Sequence, residues 1–367
     1  MGDAGTVERR GAAHGAAAGD LRPVPVVLNG SAGALLGKPD ATESLVETFR
    51  AAGLEPRFSP PDSGTLIERL EAARDSGLGL VVVGGGDGTV AAAGSVLAGS
   101  GVPLAVLPFG TMNLLAKDLG LDGGDAEGAV RAVASGHTRD IDVAEVNGEV
   151  FLCASMLGMP TRLGRHREAG RKAGWLRGWA RYAVAALRHF DRHARLRVVL
   201  GIGGRSVRLR APSITISVNP LSDASARAFG RARLDGGELA VYVVESLRLG
   251  DAVRLALRVL TGGRWKQDDA VHEARVARSL TVAVPGVRGD GAVRVMNDGE
   301  MHLLRPPLRY RVRPRALRVF VPAPPDPATA AAQPDAAEAP PPPAPDPVEA
   351  LRPAATSVSS SPPPPAP

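Results

Sequence analysis

The stretch Val81-Val82-Val83-Gly84-Gly85-Gly86-Asp87-Gly88-Thr89 runs from β-branched residues straight into a glycine cluster that holds one carboxylate and one hydroxyl. Read physically, a buried strand empties into a tight turn, and the turn opens a helix from Thr89 to about Leu97. Glycines let a backbone approach a bulky anion and adopt positive φ where needed. Amides at the start of a helix point at negative charge. A phosphate is the guest such a turn suits. Asp87 would repel that phosphate unless a cation or a proton-accepting role explains it. The combination points to phosphoryl transfer with Mg2+.

The flanking segments repeat the strand–helix rhythm. Val24–Leu28, Glu55–Ser59, Leu80–Val83 and Pro103–Pro108 read as strands. Helices are expected at about Asp40–Ala52, Thr65–Asp75, Met112–Asp118 and Asp125–Ala134. This alternation marks βαβ units and a parallel sheet. Near Ile141 the pattern changes to a hairpin around Asn147-Gly148. Strand-like segments then dominate, Leu196–Gly201, Ser213–Val218, Glu238–Val244, Leu280–Val284 and Val293–Asn297 among them, with one helix at Gly250–Leu260. The expected plan is an unstructured N-terminus over residues 1–22, an α/β domain over 23–142, a mostly antiparallel β domain over 143–321, and an unstructured Pro/Ala-rich tail over 322–367.

The composition narrows the setting. Apolar residues make up 44% of the 367 and aromatics only 4%, so the core is built from Val, Leu and Ala. The single cysteine, Cys153, excludes an intrachain disulfide, suits a reducing cytoplasm and reads as a packed apolar residue. No apolar run is long enough for a transmembrane helix, and Met1–Asp20 lacks signal-peptide features. The formal charge is +6, but Pro322–Pro367 holds five acids against one base, which leaves the remainder at about +10. Such a basic body suits nucleotides, nucleic acid or an anionic membrane. Arg162–Arg197 concentrates the effect: eleven Arg and Lys stand against Glu168 and Asp191. Trp175, Trp179 and Tyr182 share one helical face there. That helix either lies on an anionic bilayer with its aromatics at the interface or presents an ordinary core stripe with a solvated basic side. No nucleic-acid module frames it.

Three further patterns carry chemistry. Gly86-Asp87-Gly88-Thr89-Val90-Ala91 fits the dinucleotide fingerprint, but no acid follows about 20 residues on to bind a ribose. Leu107-Pro108-Phe109-Gly110-Thr111-Met112-Asn113 is a second strand–Gly–Thr–helix junction. Thr111 caps that helix or reaches a phosphate, and Asn113 can bond a ribose or base. Two such junctions at the carboxyl ends of parallel strands suggest a shared nucleotide crevice. Asn297-Asp298-Gly299-Glu300 reads either as a turn or as the source of a base for a hydroxyl acceptor.

Together Gly85-Gly86-Asp87-Gly88-Thr89, Leu107–Asn113 and Asp298-Gly299-Glu300 resemble the diacylglycerol kinase catalytic-domain family, which includes bacterial lipid kinases and sphingosine kinases. The resemblance spans about Val24 to Pro322. It implies an α/β nucleotide-binding domain of the NAD kinase and diacylglycerol kinase type, a C-terminal antiparallel β-sandwich, and a site in the cleft between them, with the last strands returning to the first domain. By the same resemblance Asn29 lies near the nucleotide and Ser59 matches loosely a threonine after the second strand. Gly85, Gly86, Asp87, Gly88 and Thr89 cradle the ATP phosphates, with Gly110, Thr111 and Asn113 close by. Asp87 holds Mg2+ or assists the acceptor. Glu300 and Asp298 form the catalytic pair, with Glu300 the first choice as base.

Two departures stand out. Asn113-Leu114-Leu115-Ala116-Lys117 replaces Asn-Asp-Phe-Ala-Arg. Leu234-Asp235-Gly236-Gly237 replaces Leu-Asp-Asp-Gly, which leaves Asp235 as the candidate for a structural metal. The expectation is an ATP- and Mg2+-dependent lipid kinase, cytoplasmic and peripheral at an anionic membrane. Its alternatives are a soluble kinase of the NAD kinase type and a non-catalytic nucleotide- or lipid-binding protein.

Overall fold

The computed structural model describes residues 21–29, 39–121, 123–158, 196–222, 230–231, 233–244, 271–276, 278–287, 291–324, 345–351 and 355–359. The basic aromatic stretch up to residue 195 and the helix expected at Gly250–Leu260 lie outside them.

The α/β half contains β1 (Arg22–Leu28), α1 (Pro39–Ala51), β2 (Leu54–Phe58), α2 (Leu66–Arg74), β3 (Val81–Gly85), α3 (Asp87–Leu97), β4 (Leu104–Pro108), α4 (Leu114–Asp118) and α5 (Ala126–Ser135). The central β3 and β4 are buried throughout, as their apolar runs require. Strands β2, β1, β3 and β4 pair in parallel in that order. The chain steps from β1 outward to β2 and then back across β1 to β3, so the strand order reverses between β1 and β3. Ligands of open α/β sheets bind at such a switch point, beyond the carboxyl ends of the strands. Asn29, Ser59, Gly85 and Phe109 stand at those ends.

The second half continues with β5 (Thr138–Val146), β6 (Glu149–Phe151), β7 (Ala154–Gly158), β8 (Leu196–Ile202), β9 (Arg205–Ala211), β10 (Ser213–Val218), β11 (Leu239–Val244), β12 (Val271–Val276), β13 (Ser279–Ala283), β14 (Val293–Asn297), β15 (Glu300–Leu304) and β16 (Leu308–Phe320). Asn147 and Gly148 take positive φ in the β5–β6 turn, as the hairpin signal predicts. Six strands form an antiparallel sheet in the order β12-β11-β10-β7-β14-β15. This sheet packs face to face on β9, β8, β13, β16 and β5, burying Val207, Leu200, Val282, Leu308 and Ala144 against Ile216, Val241 and Val295. The fold is an α/β domain joined to an antiparallel β-sandwich.

The two halves share a sheet. Strand β16 is antiparallel to β13 and β5 along the sandwich, then places Val319 in parallel register with Leu104 of β4. Its register against β5 shifts between Arg313 and Leu317, around Pro314 and the positive-φ Arg315.

Residues 345–351 and 355–359 depart from the unstructured expectation for the tail. Asp346 accepts from Val348 N at 2.9 Å, capping the short α6 (Pro347–Ala350). Val348 and Leu351 are buried in the sandwich core. β17 (Ala355–Ser359) then pairs antiparallel with β9 and covers its edge. Proline richness hid two apolar anchors at a spacing of three, enough to offset the ordering of one short turn. Among the described residues no helix is long and apolar enough to cross a membrane.

One ion pair ties the halves together. The side chains of Arg231 and Asp118 are 1% and 4% exposed, with Nε donating to Oδ2 at 2.8 Å. Arg231 N also donates to Asp118 Oδ1 at 3.0 Å. The guanidinium further donates to the carbonyls of Leu152 at 2.7 Å and Val218 at 3.0 Å. Burial opposes its charge, while Cys153, Asp118 and Asp298 around it hold its pKa above the ordinary value. Asp118 ends α4 in the α/β half, whereas Val218 belongs to the sandwich core and Leu152 lies in the β6–β7 turn with its side chain in the α/β core.

Arg231→Met should destabilise the protein by about 3–5 kcal/mol in denaturant unfolding, because it strands a buried carboxylate. Adding Asp118→Leu should restore part of the loss, and equal losses in the single and double variants would show that the pair does not couple the halves. Leu351→Ala should cost about 2–4 kcal/mol; an unchanged unfolding midpoint would show that α6 is not part of the core.

Candidate active site

The glycine turn after β3 feeds directly into α3, which begins at Asp87 rather than at Thr89. Gly86 is the N-cap and no side chain caps the helix. The first amides of α3 are therefore left to face an anion. Thr89 is buried, and its Oγ1 accepts from Asn29 Nδ2 at 2.8 Å. This bond closes the switch point: the end of β1 is fastened to the helix that follows β3.

The second junction lies against the first. A Cβ on Gly110 would fall 2.5 Å from Gly86 Cα, so the two turns touch through backbone alone. None of the glycines at 84–88 takes positive φ. They are required for close approach and not, as the sequence also allowed, for unusual dihedrals.

Asp87 joins the turns chemically. Its Oδ2 accepts from Asn113 N at 3.0 Å and its Oδ1 from Leu114 N at 2.6 Å. The carboxylate thus caps α4 from outside, a task that sequence reasoning offered to Thr111. Thr111 instead stays exposed at the turn. Asn113 is buried at φ +49°. Its Oδ1 accepts from Gly110 N at 2.9 Å, and its Nδ2 donates to the carbonyls of Gly110 at 2.8 Å and Pro108 at 3.2 Å. Its amide is spent on shaping the turn, where the sequence suggested contact with a ribose or base.

The sandwich contributes the third motif. Asp298 sits at φ +47° in the turn between β14 and β15. Its Oδ2 accepts from Leu152 N at 2.6 Å, and its Oδ1 from Cys153 N and Ala154 N, each at 2.9 Å. Burial pushes its carboxyl above the usual carboxylate range, while the three amides and nearby Arg231 pull it back. Enclosed in this way, Asp298 fixes the β6–β7 turn and is not placed to meet an acceptor hydroxyl, as its pairing with Glu300 had implied. Burial also drives the Cys153 thiol well above its ordinary value, in keeping with a packed residue.

Glu300 is different. It is exposed at the start of β15 and points across the cleft at α3. A Cβ on Gly88 would lie only 2.5 Å from Glu300 Oε1. The carboxylate therefore rests on the backbone next to Asp87, at the uncapped end of the helix. Motifs more than 200 residues apart in sequence meet here.

Ser59 and Asp235 are held elsewhere. Arg69 of α2, buried, donates to Ser59 Oγ at 3.1 Å and to the carbonyls of Ser59 and Leu28 at 2.8 and 3.1 Å. Arg69 pins the ends of β1 and β2 together, and sequence reasoning missed it. Its signal was present: Leu66, Arg69, Leu70 and Ala73 share the spacing of a buried helical face, and one of the four is a cation. Asp235 is 3.1 Å from Arg139 and 3.6 Å from Arg233. Its charge is balanced by guanidinium groups, and no group of three or more His, Cys, Asp or Glu is arranged for a metal among the described residues. A Cβ on the neighbouring Gly236 would lie 2.6 Å from Asn219 Oδ1, so an aspartate there would require the Asn219 amide to move.

Known proteins match both halves of the chain. The model of the diacylglycerol kinase catalytic domain matches residues 23–146, and that of the YegS C-terminal NAD kinase beta sandwich-like domain matches residues 158–321. An uncharacterised protein of Synechocystis is 22% identical over 70% of this chain and 59% of its own length, so the chain spans less than two thirds of that relative. A diacylglycerol kinase of Mycobacterium tuberculosis is 29% identical over 69% of this chain and 80% of its own. The crystal structure of a diacylglycerol kinase from Bacillus anthracis superposes with a TM-score of 0.57 at 19% identity, covering 84% of this chain and 98% of that one. With both halves matched and the three motifs gathered in one cleft, this chain belongs to the diacylglycerol kinase catalytic-domain family.

Proposed function

We propose that the protein is an ATP-dependent lipid kinase that transfers the γ-phosphoryl group to a lipid hydroxyl. Membership of a family whose named relatives are lipid kinases supports the reading. The observation that carries it is the position of Glu300 Oε1 over Gly88, at the open end of α3. A phosphate seated on the α3 amides has a carboxylate beside it that is free of backbone amide partners, unlike Asp87 and Asp298.

The geometry supports the following division of roles. The amides of Gly86 to Thr89 and the exposed Thr111 hydroxyl orient the phosphates. Glu300 takes the proton as the acceptor O–H bond breaks. The acceptor oxygen bonds to the γ-phosphorus, the bond to the β,γ-bridging oxygen breaks, and ADP leaves. Asp87 and Glu300 flank the phosphate position, and each has lone pairs left for a Mg2+. Such a donor set fits an ion that keeps water and phosphate oxygens and needs only one or two carboxylates. When bound, the ion neutralises charge developing on the phosphates. Asp87 also fixes the second turn relative to the first, so its loss disturbs the amides on both.

The direct test is transfer from γ-labelled ATP with Mg2+ into a total bacterial lipid extract. Label in the organic phase is expected, and label on NAD instead would overturn the reading. Glu300→Gln should lower kcat by about 10²- to 10⁴-fold with an unchanged unfolding midpoint. Gly88→Ala should also lower kcat, because the new methyl displaces the Glu300 carboxylate. If both variants keep full turnover, Glu300 is not the base.

A further inference from the structure

The outer face of the large sheet, on the sandwich side, is a plane of arginines. Strand alternation sends Val198, Leu200, Leu209, Val282, Leu308 and Tyr310 into the core. It therefore turns Arg197 of β8, Arg208 and Arg210 of β9, and Arg309 and Arg311 of β16 outward, and all five are exposed. Between them run short side chains. Thr281 of β13 stands opposite both Arg309 and Gly201, Ser279 opposite Arg311, and Val199 opposite Arg208. Three gaps between four strands make this plane about 14 Å wide. At its β16 margin a groove of about 710 Å3 is lined by Arg309, Arg311, Arg305, Thr281 and Asn147, with Glu145, the partner of Arg311, also on its wall.

The charge on this face is poorly compensated. Arg311 bonds Glu145 at 2.7 and 3.1 Å. Arg197, Arg210 and Arg309 have no acidic partner among the described residues. Arg197 and Arg210 are direct cross-strand partners. Like charges placed opposite each other destabilise a sheet, so folding does not account for the pair. The adjoining β17 brings no acid, its sequence being Ala-Thr-Ser-Val-Ser.

We propose that this arginine face docks the protein on an anionic phospholipid bilayer, with the groove beside Arg309 admitting a headgroup phosphate. The proposal rests on the lipid-kinase reading for its purpose and on charge complementarity for its partner. The face is broad and flat and matches a charged plane. Among the described residues it presents no exposed aromatic side chain on which bases could stack, and no helix to enter a duplex groove. Its described residues include no long exposed apolar side chain, so attachment through them is electrostatic, reversible and sensitive to salt.

The test is sedimentation of the full chain with vesicles of phosphatidylcholine, alone or with 30% phosphatidylglycerol, at about 0.1 M salt. Binding is expected only to the mixed vesicles, and about 0.5 M salt should abolish most of it. The triple variant Arg197→Glu, Arg210→Glu, Arg309→Glu should bind about 100-fold more weakly, near 5-fold for each base lost. An unfolding midpoint no lower than that of the unaltered chain shows that the variant folds, and Arg→Gln at the same positions serves if it does not. The variant should retain its rate on a monomeric short-chain acceptor and lose rate on vesicles. Equal sedimentation of variant and parent, equal binding to both vesicles, or binding to duplex DNA in place of vesicles would overturn the proposal. If the unaltered chain phosphorylates no lipid in either assay, the kinase reading fails, and sedimentation still decides the docking face by itself.

Discussion

The guanidinium of Arg231 is enclosed between the α/β domain and the sandwich, and the geometry of the cleft depends on it. It holds Asp118 at one end of α4, the Leu152 carbonyl in the β6–β7 turn and the Val218 carbonyl of the sandwich. At its other end α4 is held by Asp87, whose carboxylate caps it from the glycine turn. The amides after Leu152 are held in turn by Asp298, two residues before Glu300. Following these bonds from Asp87 leads through α4, Arg231 and Asp298 to Glu300, which rests over Gly88. Every link is a charged group bonded to backbone or to an opposite charge in a poorly solvated place, where such bonds are strongest.

This circuit divides the acids of the three motifs by task. Asp87 and Asp298 each have both oxygens bonded to amides, and these bonds fix turns. Glu300 alone is exposed and aimed at the helix start. An acid committed to two or three amides is anchored and slow to reorient, which suits a framework. A proton acceptor needs access to its substrate and a free lone pair. Asp87 falls between the two, since capping two amides leaves it further lone pairs toward the cleft.

Much of this was legible in the residues. The β-branched run into Gly84-Gly85-Gly86 announced a buried strand and a phosphate-sized turn, and the second Gly-Thr junction announced its partner. Secondary-structure patterns placed both at strand ends, because period and glycine content are local signals. The roles of Asn113 and Asp298 were not legible. Their partners are backbone amides, which every residue possesses and no composition reveals. The Arg231–Asp118 pair was hidden for a related reason: it joins positions far apart in sequence, and surface arginines are so abundant here that a buried one does not stand out. Arg69 differed, since its place on an apolar helical face gave it away in principle. Residues 345–351 misled through composition, because prolines outnumbered the two apolar anchors, Val348 and Leu351, that seat this segment in the core.

Strand β16 has a mechanical consequence. It is hydrogen-bonded to the sandwich along its first half and to the α/β domain near its end. Two-lobed kinases open on a hinge of unpaired chain, but here such a swing would break the pairing of Val319 with Leu104. The cleft must instead be largely preformed, and its walls can move only by twisting a common sheet. The place with least resistance is the irregular step at Pro314, Arg315 and Ala316, where pairing with β5 lapses. The shared strand thus holds the turn after β3 and the Glu300 carboxylate opposite it at a set separation.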